Sequence, residues 1–347
     1  MIAMFDPDLT TRERDVLEAV IRTFVDTAAP AGSRTVARRF DLGVSPATVR
    51  NTMSDLADKG YLSQPHPSAG RMPTDKAYRY YVDLLMRVES ITPDEVARLE
   101  RSLESTRVAE EELLARAVQA LSVVSRELGV ALAPRVDQAV LEKIELMAVS
   151  SERTLLVLAM RSGPVRTIFV EGARTTSDDS LSAAAGWLNE RLAGLSLREI
   201  RETYRNRLAD APPEHADLLN IFLERGESFF ADRPATETVV LGPASGLAAQ
   251  PEFADRDRLR NLLELTERRD VLARALRQRS ADGIVISIGG EHEAPPLIDF
   301  SMVTTEYEMG GTRGTIGVIG PTRMPYDRVV AMVEYTARLL SSVPGSR

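Results

Sequence analysis

The chain has 347 residues, 44% of them hydrophobic and 27% charged, with a formal net charge of −8. That is enough for two or three packed domains, while no apolar run reaches the roughly 18 residues of a membrane span. The absence of cysteine, and three histidines far apart in the chain, argue against disulfides, thiolate zinc sites, cysteine nucleophiles and His-rich metal sites.

The amino terminus, MIAMFDPDLTTRERD, lacks the basic-then-apolar order of a secretory signal, so a cytoplasmic location is expected. Thr10-Thr11-Arg12-Glu13 has the spacing of a capping box, and Val16, Leu17, Val20, Ile21 and Phe24 form one apolar stripe behind it. Ala29-Pro30-Ala31-Gly32 breaks this helix. Ser33 then caps a short second helix that turns Val36, Ala37 and Phe40 inward, and Gly43 supplies the positive φ of a tight turn. Ser45 caps a third helix with Pro46 at its first position, where a missing N–H costs nothing. The helix is predicted to run to Lys59 and to stop at Gly60.

At 100° per residue the third helix gathers Val49, Met53 and Leu56 on one face. Ala47, Asn51, Ser54 and Asp58 point the other way, flanked by Thr48 and Arg50. Small and amide side chains on the outer face suit a major groove, where Asn pairs with adenine and Arg with guanine or phosphate. Two short helices around a Gly-containing turn spell helix-turn-helix. Tyr61 to Gln64 reads as a short strand and Pro65 to Arg71 as the compact tip of a wing. A final helix from Lys76 buries parts of Tyr78, Tyr81, Val82 and Leu85. Between Arg34 and Arg79 eight cations face four anions, so this segment carries +4 and the remainder −12. A small basic reader on an acidic body fits nucleic-acid binding. The expected groove contacts are Ser45, Thr48, Arg50 and Asn51. Ser33, Arg34, His66, Ser68, Arg71, Lys76 and Arg79 are expected on the DNA backbone.

Val88 to Ile91 reads as a linker. Thr92-Pro93-Asp94-Glu95 opens a helical region whose apolar stripe, from Val96 through Leu128, ends near Gly129. From Lys143 the period changes, and residues 144–149, 154–160 and 165–170 are predicted as strands joined by antiparallel hairpins. Helices are expected at about 178–193, 196–208 and 214–231, with Trp187, Leu188 and Leu192 on the apolar face of the first. A strand at 237–241, a helix at about 256–279, strands at 283–289, 298–307 and 314–320, and a helix over 326–340 complete an α+β chain.

The stretch MGGTRGTIGVIGPTR contains neither G-x-G-x-x-G nor a phosphate-loop motif. Gly310-Gly311 reads as a hairpin turn and Gly317 as a close-packed strand position; Arg313 and Arg323 could hold a carboxylate, but read first as surface arginines. Glu291, His292 and Glu293 read as an exposed polar loop. Nucleophile-elbow and zincin motifs are also missing, so an enzyme is disfavoured and no cofactor is expected.

The segments AAPAGSRTVARRF, VSPATVRNTMSDLADKGYLSQPHPSAGRMPTDKAYRYYVD and GTIGVIGPTRMPYDRVV resemble the HrcA family of heat-inducible transcription repressors over nearly the whole chain. Ala28-Ala29-Pro30-Ala31 stands where the family usually has Gly-Glu-Pro-Val, and Pro67 where Thr is common. The resemblance implies a winged-helix DNA-binding domain over 1–88 and a GAF-like domain formed by 89–141 and 235–347. An inserted α+β dimerisation domain would occupy 142–234. It further implies a homodimer on the inverted repeat called CIRCE upstream of chaperone operons, kept active by the GroEL chaperonin and released on heat shock. A rival reading is a metabolite-sensing regulator whose GAF-like domain binds an effector.

Overall fold

The computed structural model describes residues 9–103, 110–134, 139–150, 153–161, 165–171, 177–210, 238–278, 283–309 and 312–342. The expected third helix at 214–231 and the turn at Gly310-Gly311 lie outside them. Helix α1 (Thr11–Thr27) starts on the capping box read from sequence: Thr10 and Glu13 satisfy each other's backbone donors, and Val16, Leu17, Val20, Ile21 and Phe24 are buried. Helix α2 (Ser33–Arg39) is preceded by Gly32, without a side-chain cap, so Ser33 is its first residue rather than its cap. Helix α3 (Pro46–Asp58) packs on α1 and α2. A two-stranded ribbon follows, β1 (Leu62–Ser63) with β2 (Met72–Pro73). Then come α4 (Asp75–Tyr80) and one π-helical turn, Tyr81–Leu85.

Two further helices, α5 (Pro93–Leu103) and α6 (Glu110–Ser125), lead into β3 (Leu128–Leu132). The helical stripe expected to end near Gly129 stops at Ser125, and Gly129 lies in β3. All five residues of β3 are buried, and a strand covered on both faces loses the two-residue alternation that would reveal it. β3 joins a five-stranded antiparallel sheet with β7 (Val239–Leu241), β8 (Val285–Ile288), β9 (Phe300–Met309) and β10 (Thr312–Pro321), in the order β7-β3-β10-β9-β8. Gly317 is the close-packed position expected, since a Cβ there would lie 2.1 Å from the Val303 carbonyl oxygen.

Between β3 and β7 in sequence lies a three-stranded antiparallel sheet, β4 (Leu141–Ser150), β5 (Arg153–Met160) and β6 (Val165–Glu171). It packs with α7 (Asp178–Leu192) and α8 (Leu197–Arg207) around its own apolar core. Its other face exposes Met147, Val149, Val165 and Phe169, and Met147 and Phe169 both pair with Leu155 across the sheet. After β7 come α9 (Ser245–Ala248), α10 (Arg256–Glu267) and α11 (Arg269–Arg277). The last two replace one expected helix and are broken at Arg268, whose ψ of 67° departs from helical geometry. The chain closes with α12 (Tyr326–Ser342).

The sheet's two faces feed different cores. Val303, Ile316 and Val318 pack with α6 and α12, while Met302, Ile319 and Val130 pack with α10 and α11. The first of these cores also contains Val16, Val20, Met53, Tyr61, Tyr78 and Tyr81. The helix-turn-helix region and the sheet therefore share one continuous hydrophobic interior. At the expected linker the Glu89 amide donates to the Asp327 carbonyl, so this connector lies along the start of α12.

Candidate DNA-binding surface

Helix α3 is fixed from within and presented outward. Val49, Thr52, Met53 and Leu56 are buried, and Ala47, Arg50, Asn51, Ser54 and Asp58 are exposed. Ser45 accepts from the Thr48 amide at 3.2 Å, and the two hydroxyls share a hydrogen bond of 3.0 Å. This cap settles the helix N-terminus, the end whose orphan amides and positive dipole favour phosphate. Gly60 ends the helix at φ 79° and Gly43 turns the chain into it at φ 63°. The Lys76 ammonium donates to the Lys59 carbonyl at 3.1 Å and sits 4.2 Å from the Tyr61 ring centroid. That position at the helix C-terminus is the one where a cation is favoured.

The wing is anchored to the helix-turn-helix through backbone. The Ala31 amide donates to the Arg71 carbonyl at 2.8 Å and the Arg71 amide returns a bond of 2.9 Å. Gly70 makes that approach possible, because a Cβ there would lie 2.5 Å from the Ala31 carbonyl carbon and oxygen. At the tip His66 and Ser68 are exposed, and the Ala69 amide donates to the His66 carbonyl at 2.9 Å. Gln64, which sequence reasoning passed over, donates to the Pro67 and Ala69 carbonyls at 2.9 and 3.0 Å and accepts from the Arg71 guanidinium. An amide directly at the end of a strand, opening a loop rich in Pro and Gly, was the available signal.

Ser33 and Arg34 sit at the start of α2, half-buried and exposed respectively. The structure brings Thr48, Arg50 and Asn51 together on α3 behind their cap Ser45, and His66, Ser68 and Arg71 on the wing. Arg79 is placed elsewhere. Its guanidinium grips Glu291 at 2.7 and 2.5 Å, donates to the Ile286 carbonyl at 2.8 Å and pairs with Asp83 at 3.1 Å. It is turned toward the five-stranded sheet and is half-buried there. Beside it Asp75 accepts from the Gly290 amide at 2.9 Å. In the Glu291–Glu293 stretch Glu291 and Glu293 are exposed as expected, but Glu291 clasps Arg79 and His292 is buried. Arg323 is not a surface arginine either. It is 12% exposed and holds Glu252 bidentately at 2.5 and 3.1 Å. It also donates to Gln250 Oε1 at 3.2 Å and to the Val25 carbonyl.

A capped helix with an exposed amide and guanidinium, beside a backbone-anchored wing, is the geometry of a winged-helix DNA reader. Residues 8–84 match the family model "Winged helix-turn-helix transcription repressor, HrcA DNA-binding" and residues 111–330 match "HrcA protein C terminal domain". The chain belongs to the HrcA family. Heat-inducible transcription repressors HrcA of Chlorobium phaeobacteroides (strain BS1) and Chlorobaculum tepidum are 41% and 39% identical to it. Each alignment covers 96% of this chain, with 98% and 97% of those proteins. A solved chain described only as a hypothetical protein covers 96% of this one and 98% of its own length at TM-score 0.56 and 23% identity, a likeness of fold alone. HrcA membership thus agrees with a mixed α+β chain that carries its DNA-binding winged helix at the amino end. Among the described residues no helix is long and apolar enough to cross a membrane.

Proposed function

We propose that this HrcA-family chain represses chaperone operons in the cytoplasm by binding the CIRCE inverted repeat as a homodimer. The observation that carries the reading is the exposed Arg50–Asn51 edge of α3, held at a fixed angle by the Ser45 cap and the buried Val49, Met53 and Leu56. An inverted repeat calls for a two-fold assembly. The exposed Met147, Val149, Val165 and Phe169 on the β4-β5-β6 sheet offer an apolar face suited to a second copy. Family membership supports control by the GroEL chaperonin, which would keep the repressor active until unfolded clients compete for it. The test is a gel-shift titration with the inverted repeat and a scrambled duplex, with and without GroEL. Preference for the repeat, a larger active fraction with GroEL, and loss of discrimination in Asn51→Ala are expected. Equal binding to both duplexes would overturn the reading.

One observation favours the metabolite-sensing alternative. A cleft of about 680 Å³ lies between α10, α11 and residues 292–297, lined by Arg268, Arg274 and His292 among others. A bound effector would raise the melting temperature, which the chaperonin reading does not require.

A further inference from the structure

The ribbon that carries the wing is only two residue pairs long, Leu62 with Pro73 and Ser63 with Met72. So short a ladder cannot by itself order the eight residues 64–71 between its strands. At the loop's far end the backbone of Arg71 is tied to Ala31, and Gly70 lies flush against the same residue. What remains is the tip, 65–69. Its only cross-loop side-chain bonds among the described residues come from Gln64. One amide nitrogen reaches the Pro67 carbonyl at 2.9 Å and the Ala69 carbonyl at 3.0 Å, while the amide oxygen takes a bond from Arg71 Nη1. All of these atoms are on an exposed element, where the bonds add little to global stability. Their use is local: they set the tip and the guanidinium in one arrangement before DNA arrives.

We propose that Gln64 is the positioning residue of the wing, pre-ordering residues 65–69 and aiming Arg71 at the operator, so that it contributes to affinity without touching a base. This rests on the DNA-reading function proposed above. Pre-ordering works because a loop that is already fixed loses less conformational entropy on binding. Gln64 would otherwise be counted as a surface residue tolerant of any polar substitution.

The test compares Gln64→Met, Arg71→Ala and the double variant with wild type on the inverted repeat, by gel shift over a range of salt. Methionine keeps the length of the stem and removes all three hydrogen bonds. Gln64→Met is expected to weaken operator binding about tenfold with an unchanged melting temperature. Protection should be lost only at the base pairs under the wing. The salt slope should fall by about one phosphate contact, as in Arg71→Ala. The double variant should be little weaker than either single, because the two residues act as a unit. Wild-type affinity and footprint in Gln64→Met, or losses that simply multiply in the double variant, would overturn the proposal. Asn51→Ala in the same series separates the two failures. If it loses discrimination while Gln64→Met does not change, only the wing inference falls. If wild type itself does not prefer the repeat, the DNA-reading function falls with it.

Discussion

Arg323 Nη1 donates to the carbonyl oxygen of Val25, a bond that joins the last turn of α1 to the turn after β10 across 298 residues of sequence. The carbonyl end of a helix carries a partial negative charge, so a guanidinium there is well placed. Its Nε and Nη2 donate to Glu252 and Gln250. The pairing with Glu252 also explains that carboxylate's titration: burial alone would raise its pKa, but the hydrogen bond and charge of Arg323 hold it below the usual value.

Arg323→Ala should therefore be strongly destabilising. Both partners are only 12% exposed, and removing the cation leaves Glu252 and the Val25 carbonyl without it. The expected cost is about 3–5 kcal/mol, the range for breaking a buried pair on one side. Calorimetry of wild type, Arg323→Ala and Arg323→Ala/Glu252→Gln would check this, the double variant recovering part of the loss.

Glu127 sets a pH dependence. Burial pushes its pKa up to about 8, against the lowering effect of Gln250 and Arg323, and its Oε2 accepts from Gln250 Nε2 at 3.1 Å. The folded state thus holds a proton that the unfolded chain releases near 4.5. The associated stability is fully present below that value and is lost as pH rises toward 8. Glu127→Gln should flatten the melting temperature between pH 5 and 8. An equally steep profile in the variant would place the dependence elsewhere.

Gly70→Ala tests the seating of the wing. The new methyl would meet Ala31 backbone at 2.5 Å and the Pro30 carbonyl at 2.6 Å, atoms that cannot step aside as a flexible side chain would. The Ala31–Arg71 bonds should break at a cost of about 1–3 kcal/mol, and operator affinity should fall by more than in Gln64→Met. A crystal structure or amide exchange at Arg71 would show the displaced wing.

Arg79 and Arg71 should separate cleanly. Arg79→Ala removes a clasp on Glu291 and Ile286, so it should lower the melting temperature and leave the salt slope of DNA binding unchanged. Arg71→Ala should do the reverse, reducing the slope by about one phosphate contact. Slopes from four or five salt concentrations suffice to tell them apart.

The third helix was legible because every local signal agreed: Ser45 and Pro46 at its start, Gly60 at its end, and one apolar stripe between. β3 was not, since Leu128-Gly-Val-Ala-Leu continues an apolar run and its strand character comes from pairing with β7 and β10. The destinations of Arg79 and Arg323 were hidden for a different reason. Their farthest partners lie 212 and 298 residues away, and a cation near an exposed-looking motif carries no mark of what the fold will bring to it. His292, between two glutamates, was likewise buried by packing that its neighbours do not announce.

The shared interior that runs from Val16 and Tyr78 to Ile316 and Val333 makes the molecule a caliper. A reading head on a free tether would sample many orientations and tolerate operators of varied spacing. Here the head shares its core with the five-stranded sheet, so in a two-fold assembly built through that sheet or its helices the gap between the two α3 helices would be set by the fold. Inserting five base pairs between the arms of an operator would turn one arm to the far side of the duplex, where a rigid gauge has no means to follow.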